Sequence, residues 1–141
     1  MAKYRSSGTL FQRGDGASPE TFTEITQAMD IDGPGTETDF EETTTHTDAA
    51  ASNFKAWSPL MRDGGEIKTE VLWDPNNVAH QGLDSDQATS RLGNYRVVFP
   101  TSPVKTANFS GYVKDFSFKA PVKGMLKRNL SVKITGAVTV T

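Results

Sequence analysis

The 141-residue chain has no cysteine and only two histidines, His46 and His80. Without cysteine there is no disulfide framework and no thiolate metal site. Neither histidine has a second His or Cys near it, so a metal site or a serine-type triad would have to be built on one imidazole; an exposed or capping role is the expectation for both. No stretch approaches the run of about 18 apolar residues that a membrane helix needs. The opening MAKYRSSG has two basic residues but no apolar core, so it does not read as a secretory signal. These absences imply a protein that stays off membranes, in the cytoplasm where it is made. A Gly-rich phosphate loop between strand and helix is also missing. The formal charge of −2, from 15 basic and 17 acidic residues, argues against a dedicated nucleic-acid binder.

A regional absence is more informative. Residues 15–48 contain no Lys or Arg but ten carboxylates, among them Asp30, Asp32, Glu37, Asp39, Glu41 and Glu42. Cations return in the second half, at Lys114, Lys119, Lys123, Lys127, Arg128 and Lys133. Such segregation either helps like subunits pack head to tail or marks two solvated faces of opposite sign.

What is present is alternation of period two, the signature of strands with one wet and one buried face. Leu130, Val132, Ile134, Gly136, Val138 and Val140 alternate with small or polar residues, and Gly136 predicts a bulge or a close backbone approach. Further runs are Ile67, Thr69, Val71, Trp73; Tyr95, Val97, Phe99; and Thr23, Ile25, Gln27, Met29, Ile31. In 107–119, Phe109, Gly111 and Val113 share one phase but Phe116 and Phe118 the other, which predicts a bulge near Lys114–Asp115. Shorter strands fit 8–13 and 40–47. One helix is expected after Asp74 as cap and Pro75 as its first residue, running to Gly93, with Asp84-Ser85-Asp86 as a potential break. The expected fold is mainly β: a sandwich or small barrel of about seven to eight strands, with one flanking helix and a long interface loop. One domain is expected over 1–141, with a flexible N-terminal arm at 1–7.

The loop is the segment 46–66, where Phe54, Trp57, Leu60 and Met61 follow no strand alternation and Ser58-Pro59 interrupts. Large apolar residues on a connection this long either tuck into the core or seek a partner. Other motifs read as ordinary structure. Arg13-Gly14-Asp15 matches an adhesion tripeptide but sits in a Gly-rich turn. Asp30-Ile31-Asp32-Gly33 resembles part of a calcium loop but lacks the spaced bidentate Glu, and reads as a turn. Asp39, Glu41 and Glu42 lie in a polar, threonine-rich stretch without the apolar cleft that acid–base work requires, so no catalytic residue is assigned.

Taken together, GTLFQRGDGASPETFTEITQAMDIDGPGTETDFEETTTHTD resembles the start of the lambda-like phage tail-tube protein family. The matching elements are a short strand at 8–12, the G-D-G turn at 14–16, a hairpin over 22–31, Gly33-Pro34-Gly35, and an acid- and threonine-rich strand at 41–47. The likeness continues through Asp63-Gly64-Gly65-Glu66-Ile67, Trp73-Asp74-Pro75, YRVVFP, FSGYVKDFSFKAPV at 109–122 and LSVKITGAVTV. The resemblance implies a β-sandwich with a flanking helix, six copies to a ring, and inner hairpins joined into one barrel around a lumen. Rings would stack around a tape-measure protein that later leaves so that DNA can pass. It also implies the tail terminator and baseplate or tip proteins as partners, no cofactor, and a place in the virion tail. The immunoglobulin-like domain that some relatives carry after the tube domain is not expected here. On this footing 46–66 would reach the next ring through Phe54, Trp57, Leu60, Met61 and Arg62, and Asp39, Glu41 and Glu42 would face the lumen. A negative lumen would repel phosphate, where Lys and Arg would hold it. Competing readings are a terminator or hub of the same fold, told apart by whether rings stack, and a carbohydrate-binding sandwich with Trp73, Tyr95 and Tyr112 as a platform.

Overall fold

The computed structural model describes residues 2–47 and 53–141. Among the described residues nine strands follow the chain as β1 (Leu10–Gly14), β2 (Phe22–Glu24), β3 (Ala28–Asp32), β4 (Glu37–Glu42), β5 (Trp57–Asp63), β6 (Glu66–Leu72), β7 (Gly93–Phe99), β8 (Lys105–Lys119) and β9 (Lys127–Val140). Helix α1 (Val78–Thr89) lies between β6 and β7. Seven strands make one antiparallel sheet in the order β2-β1-β7-β8-β9-β6-β3, and β4 and β5 form a separate two-stranded ribbon. The mainly β expectation holds, as one large sheet and a ribbon rather than a closed barrel.

The long strands β8 and β9 organise the large sheet. Residues 113–119 of β8 and 127–133 of β9 belong with β6 and β3, while 105–111 of β8 carry β7 and β1. The edge strands β2 and β3 are consecutive in sequence, so one short segment holds both ends of the sheet together. Its backbone shows how: the Ile25 amide donates to the Phe11 carbonyl at 2.8 Å, and the Leu72 amide donates to the Gln27 carbonyl at 3.1 Å. The continuous strand expected over 23–31 is therefore broken. Gln27, at φ 62°, turns the chain from one partner strand to the other.

Both predicted irregularities of the long strands are present. Val113 pairs with Val132 and Asp115 with Ser131, so Lys114 is the extra residue that returns Phe116 to the buried face already holding Val113. Thr135 pairs with Ser110 but Thr139 with Asn108, and Gly136, at φ 82°, sits in the slack. Any Cβ there would strain the left-handed backbone. The core gathers Phe11, Tyr95 and Phe109, with ring centroids 6.0–6.4 Å apart, and then Ile67, Val71, Val113, Phe116, Leu130 and Val132. Each such aliphatic or aromatic burial contributes about 1.5–3 kcal/mol, which lets a chain without disulfides fold.

Helix α1 starts later than its sequence predicts. Asp74 and Pro75 form a turn, closed by the Asn77 amide on the Asp74 carbonyl at 3.1 Å. Asn77 is the cap, its side chain accepting from the amides of Ala79 and His80 at 2.9 and 3.3 Å. The helix ends at Ser90 in a left-handed conformation, and Gly93 instead begins β7. Asp84-Ser85-Asp86 does not interrupt it, because Asp84 and Asp86 each find cations on the sheet.

Candidate functional site

Two regions stand out, one of them closed. Asp86 is 1% exposed and points from α1 into the sheet. Arg13 donates to both its oxygens from Nε and Nη2 at 2.7 and 2.8 Å; Arg91 adds 3.0 Å and the Tyr95 hydroxyl 3.0 Å. Burial pushes the Asp86 carboxyl up, but the two guanidinium partners outweigh it and hold the group below the usual carboxylate range. Burial, then the Asp86 charge, raises the Tyr95 phenol. All four groups have partners, so this node ties α1 to β1 and β7. It also accounts for the Arg13-Gly14-Asp15 tripeptide, whose arginine is engaged by Asp86.

A second internal cation is Arg128, 4% exposed. It lies 3.6 Å from the Phe116 ring centroid and 4.0 Å from that of Phe118, donates to the Phe116 carbonyl at 2.7 Å, and pairs with Asp84 at 2.8 Å. It does not belong to the basic surface inferred from the sequence. Lys114 with Glu66, Lys119 and Lys127 with Glu70, and Lys133 with Asp63 spend much of that surface in ion pairs on the outer sheet face.

The other region is the β4–β5 ribbon, and here the structure departs from the sequence reading. The segment expected as an irregular loop contains a strand, β5, from Trp57 to Asp63. Its alternation is hidden because the register slips between Thr38 and Phe40, leaving Leu60 and Met61 opposite Asp39. Pro59 is tolerated because an edge strand needs no amide on its open side. Beyond the strands, the Thr43 amide donates to the Ala56 carbonyl at 2.8 Å. Gly33, at φ 106°, marks where the chain leaves β3 for the ribbon; a Cβ there would stand 2.5 Å from the Glu66 carbonyl oxygen.

Directly opposed residues share a face of a two-stranded ribbon. The pairs Phe40 with Pro59, Glu42 with Trp57 and Thr38 with Arg62 define one face, and Glu41 with Ser58 and Glu37 with Asp63 the other. Asp39 alternates with Thr38 and Phe40, so it joins the second face. That face carries Glu37, Asp39, Glu41 and Asp63 and no cation, whereas the first carries Phe40 and Trp57, 59% and 54% exposed. The structure thus brings Asp39 and Glu41 together and places Glu42 beside Trp57. Leu60 and Met61 sit at the slip, both exposed, and Phe54 follows the connection, 85% exposed. Sequence reading missed Phe40, for which the Phe-Glu-Glu break in an acidic run was the available signal. Residues 48–52 of the expected inter-ring loop lie outside the described residues.

The remaining candidates resolve into structure. Asp30, Ile31 and Asp32 lie in β3 rather than a turn. His46 is exposed; His80 is buried, its Nδ1 accepting from the Asp74 amide at 3.1 Å, which leaves Nε2 to donate to the Thr26 carbonyl at 2.9 Å. Trp73, Tyr95 and Tyr112 do not form a sugar platform: Tyr95 is core, and Trp73 stacks edge-on against Phe118 at 5.0 Å.

A core tied to its helix through Asp86, with an exposed amphipathic ribbon outside the main sheet, defines a structural subunit whose exposed apolar surfaces are built for assembly. The family model described as lambda phage tail tube protein matches residues 3–141, and the chain belongs to that family. It is accordingly a subunit of a phage tail tube, part of the virion tail, and the family is a structural one. No curated protein matches it by sequence. Among solved structures it is similar to a chain of the tail of an empty gene transfer agent particle, refined with C6 symmetry, at 9% identity over 99% of both chains with a TM-score of 0.79. It is similar to the SPP1 tail tube protein at 11% identity over 94% of this chain and 74% of that one, TM-score 0.68. A third likeness, at 10% identity over 100% and 98% and TM-score 0.74, is to a chain of the sheath/tube terminator structure of an extracellular contractile injection system. At these identities the fold is what is shared; the family match separates tube from terminator.

Proposed function

We propose that this chain acts as a single tube domain, closes into six-membered rings, and stacks them into a hollow tube around a tape-measure protein, with DNA passing through the lumen during ejection. Terminator and baseplate proteins would bound the stack, and assembly would take place in the cytoplasm of the host. The six-fold ring is supported by the C6 symmetry of the similar gene transfer agent tail. The observation that carries ring stacking is the ribbon: Phe40, Trp57 and Met61 stay exposed on an element outside the main sheet, the kind of apolar surface that marks a protein contact. Phe54, Trp57, Leu60, Met61 and Arg62 form the ring-to-ring contact. Asp39 and Glu41, on the opposite face, border the lumen and repel DNA phosphate, with Glu42 at the margin.

Negative-stain electron microscopy across a concentration series tests this. Wild-type protein should form hollow tubes with a regular axial repeat, and Trp57→Asp should yield free rings or monomers. Tubes from Trp57→Asp with the wild-type repeat would remove the ribbon from the ring contact. Wild-type protein that stops at one closed ring would favour a terminator.

A further inference from the structure

The ribbon needs a receiving surface, and the structure offers one at the other end of the same sheet. β8 and β9 continue past the Leu72–Lys127 pair into a turn over residues 120–126. Around it Phe118, Val122, Met125 and Leu126 are exposed, Val122 completely. Lys119 and Lys123 stand beside them; Lys123 makes no ion pair among the described residues, and residues 116–130 contain no carboxylate. Arg128, fixed between Phe116 and Phe118, stiffens the base of the turn.

The ribbon lies at the opposite end. It joins β6 at Glu66, and Leu60 to Gly64 line a cleft with Ile134 to Val138, the part of β9 farthest from the turn. The two ends of β6 are about 20 Å apart at the usual rise of a strand. The ribbon leaves the sheet at one end of β6 and the turn lies at the other, so a second copy displaced along the strand direction can bring ribbon and turn together. The patches differ, so the contact is head to tail, and a head-to-tail contact propagates instead of closing on itself as a pair.

We infer that the apolar turn between β8 and β9 receives the aromatic face of the β4–β5 ribbon of a second copy of this chain in the next ring. Phe40 and Trp57 meet Phe118, Val122, Met125 and Leu126, while Glu42 on that face meets Lys123. The acidic face is left free, which keeps this contact compatible with a negative lumen. The inference rests on the stacking read above and adds the surface that accepts it. It also explains why acid and base are segregated along the sequence: ribbon and turn come from different halves of the chain.

The cysteine-free sequence permits a direct test. Glu42→Cys and Lys123→Cys proteins are prepared separately, mixed, assembled and oxidised. A crosslinked dimer should form in the mixture and be absent when Lys123→Cys is replaced by Val104→Cys, an exposed site just before β8. In parallel, Lys119→Glu with Lys123→Glu should raise the concentration at which tubes appear at least about tenfold, and Glu42→Lys in the partner copy should recover part of that loss. Normal tubes without the crosslink, or normal tubes from the charge-reversed turn, overturn the turn as receptor and leave ring stacking standing. Tubes that survive Trp57→Asp, or wild-type protein that never stacks, remove the ribbon contact itself, and the inference falls with it.

Discussion

The Asp86 node and the β4–β5 ribbon use similar residue types to opposite ends. Around Asp86 a carboxylate is removed from water and surrounded by two guanidinium groups and a phenol, all within 3.0 Å. On the ribbon Glu37, Asp39 and Glu41 stand exposed on one face and aromatic rings occupy the other, with neither covered. The first arrangement is complete within one chain, and its loss should appear as instability. The second is incomplete within one chain, and its loss should appear only in assembly. Polar groups whose partners are internal report on folding; apolar groups without internal partners report on association.

The sharpest way to break this contrast is Asp86→Asn. It leaves Arg13 and Arg91 with an uncompensated charge in a buried site, and unfolding by urea should show a loss of about 3–5 kcal/mol. The same node sets an acid limit. The Asp86 carboxyl is held lower in the folded chain than in the unfolded one, so its contribution is fully present above the unfolded value near 3.9 and is lost as pH falls through the depressed folded value. Thermal unfolding followed from pH 6 down to pH 2 should show that loss in wild type and a shallower slope in Asp86→Asn. Tyr95→Phe removes one hydrogen bond while the two arginines remain, at a cost of about 1–2 kcal/mol by the same urea assay. On the ribbon, Trp57→Ala should shift monomer stability by no more than about 0.5 kcal/mol yet abolish stacking by electron microscopy. Least disruptive should be Asp39→Lys with Glu41→Lys: tubes persist with unchanged repeat, and the change is gained retention of DNA, readable by gel shift on assembled tubes. If Asp86→Asn were stable but unable to stack, or Trp57→Ala unfolded, the division between the two regions would be wrong.

Much of the sheet was legible because alternation is local. The bulge at Lys114 followed from a phase change between Val113 and Phe116, and the irregularity at Gly136 from a glycine inside an alternating run. Helix α1 was legible in position but not at its ends, since Asp74 and Asn77 are both competent caps and only the turn through Pro75 decides between them. Strand β5 was not legible. Its alternation is interrupted by Pro59 and by the slip at Leu60 and Met61, and it becomes a strand through pairing with β4.

By itself the sequence determined a mainly β chain that folds without disulfides, carries its acid and base in different halves, and offers large apolar residues near 54–61 that alternation does not bury. Those properties depend on residue type and short spacing. Only the tertiary structure decided that Asp86 and Arg128 are internal while Asp39 and Glu41 are not, that Phe40 and Trp57 share a face, and that ribbon and turn lie at opposite ends of β6. Each of these depends on which strand pairs with which and in what register. That choice is made by non-local hydrogen bonds and by burial of whole faces, and a one-residue change of register would reverse it.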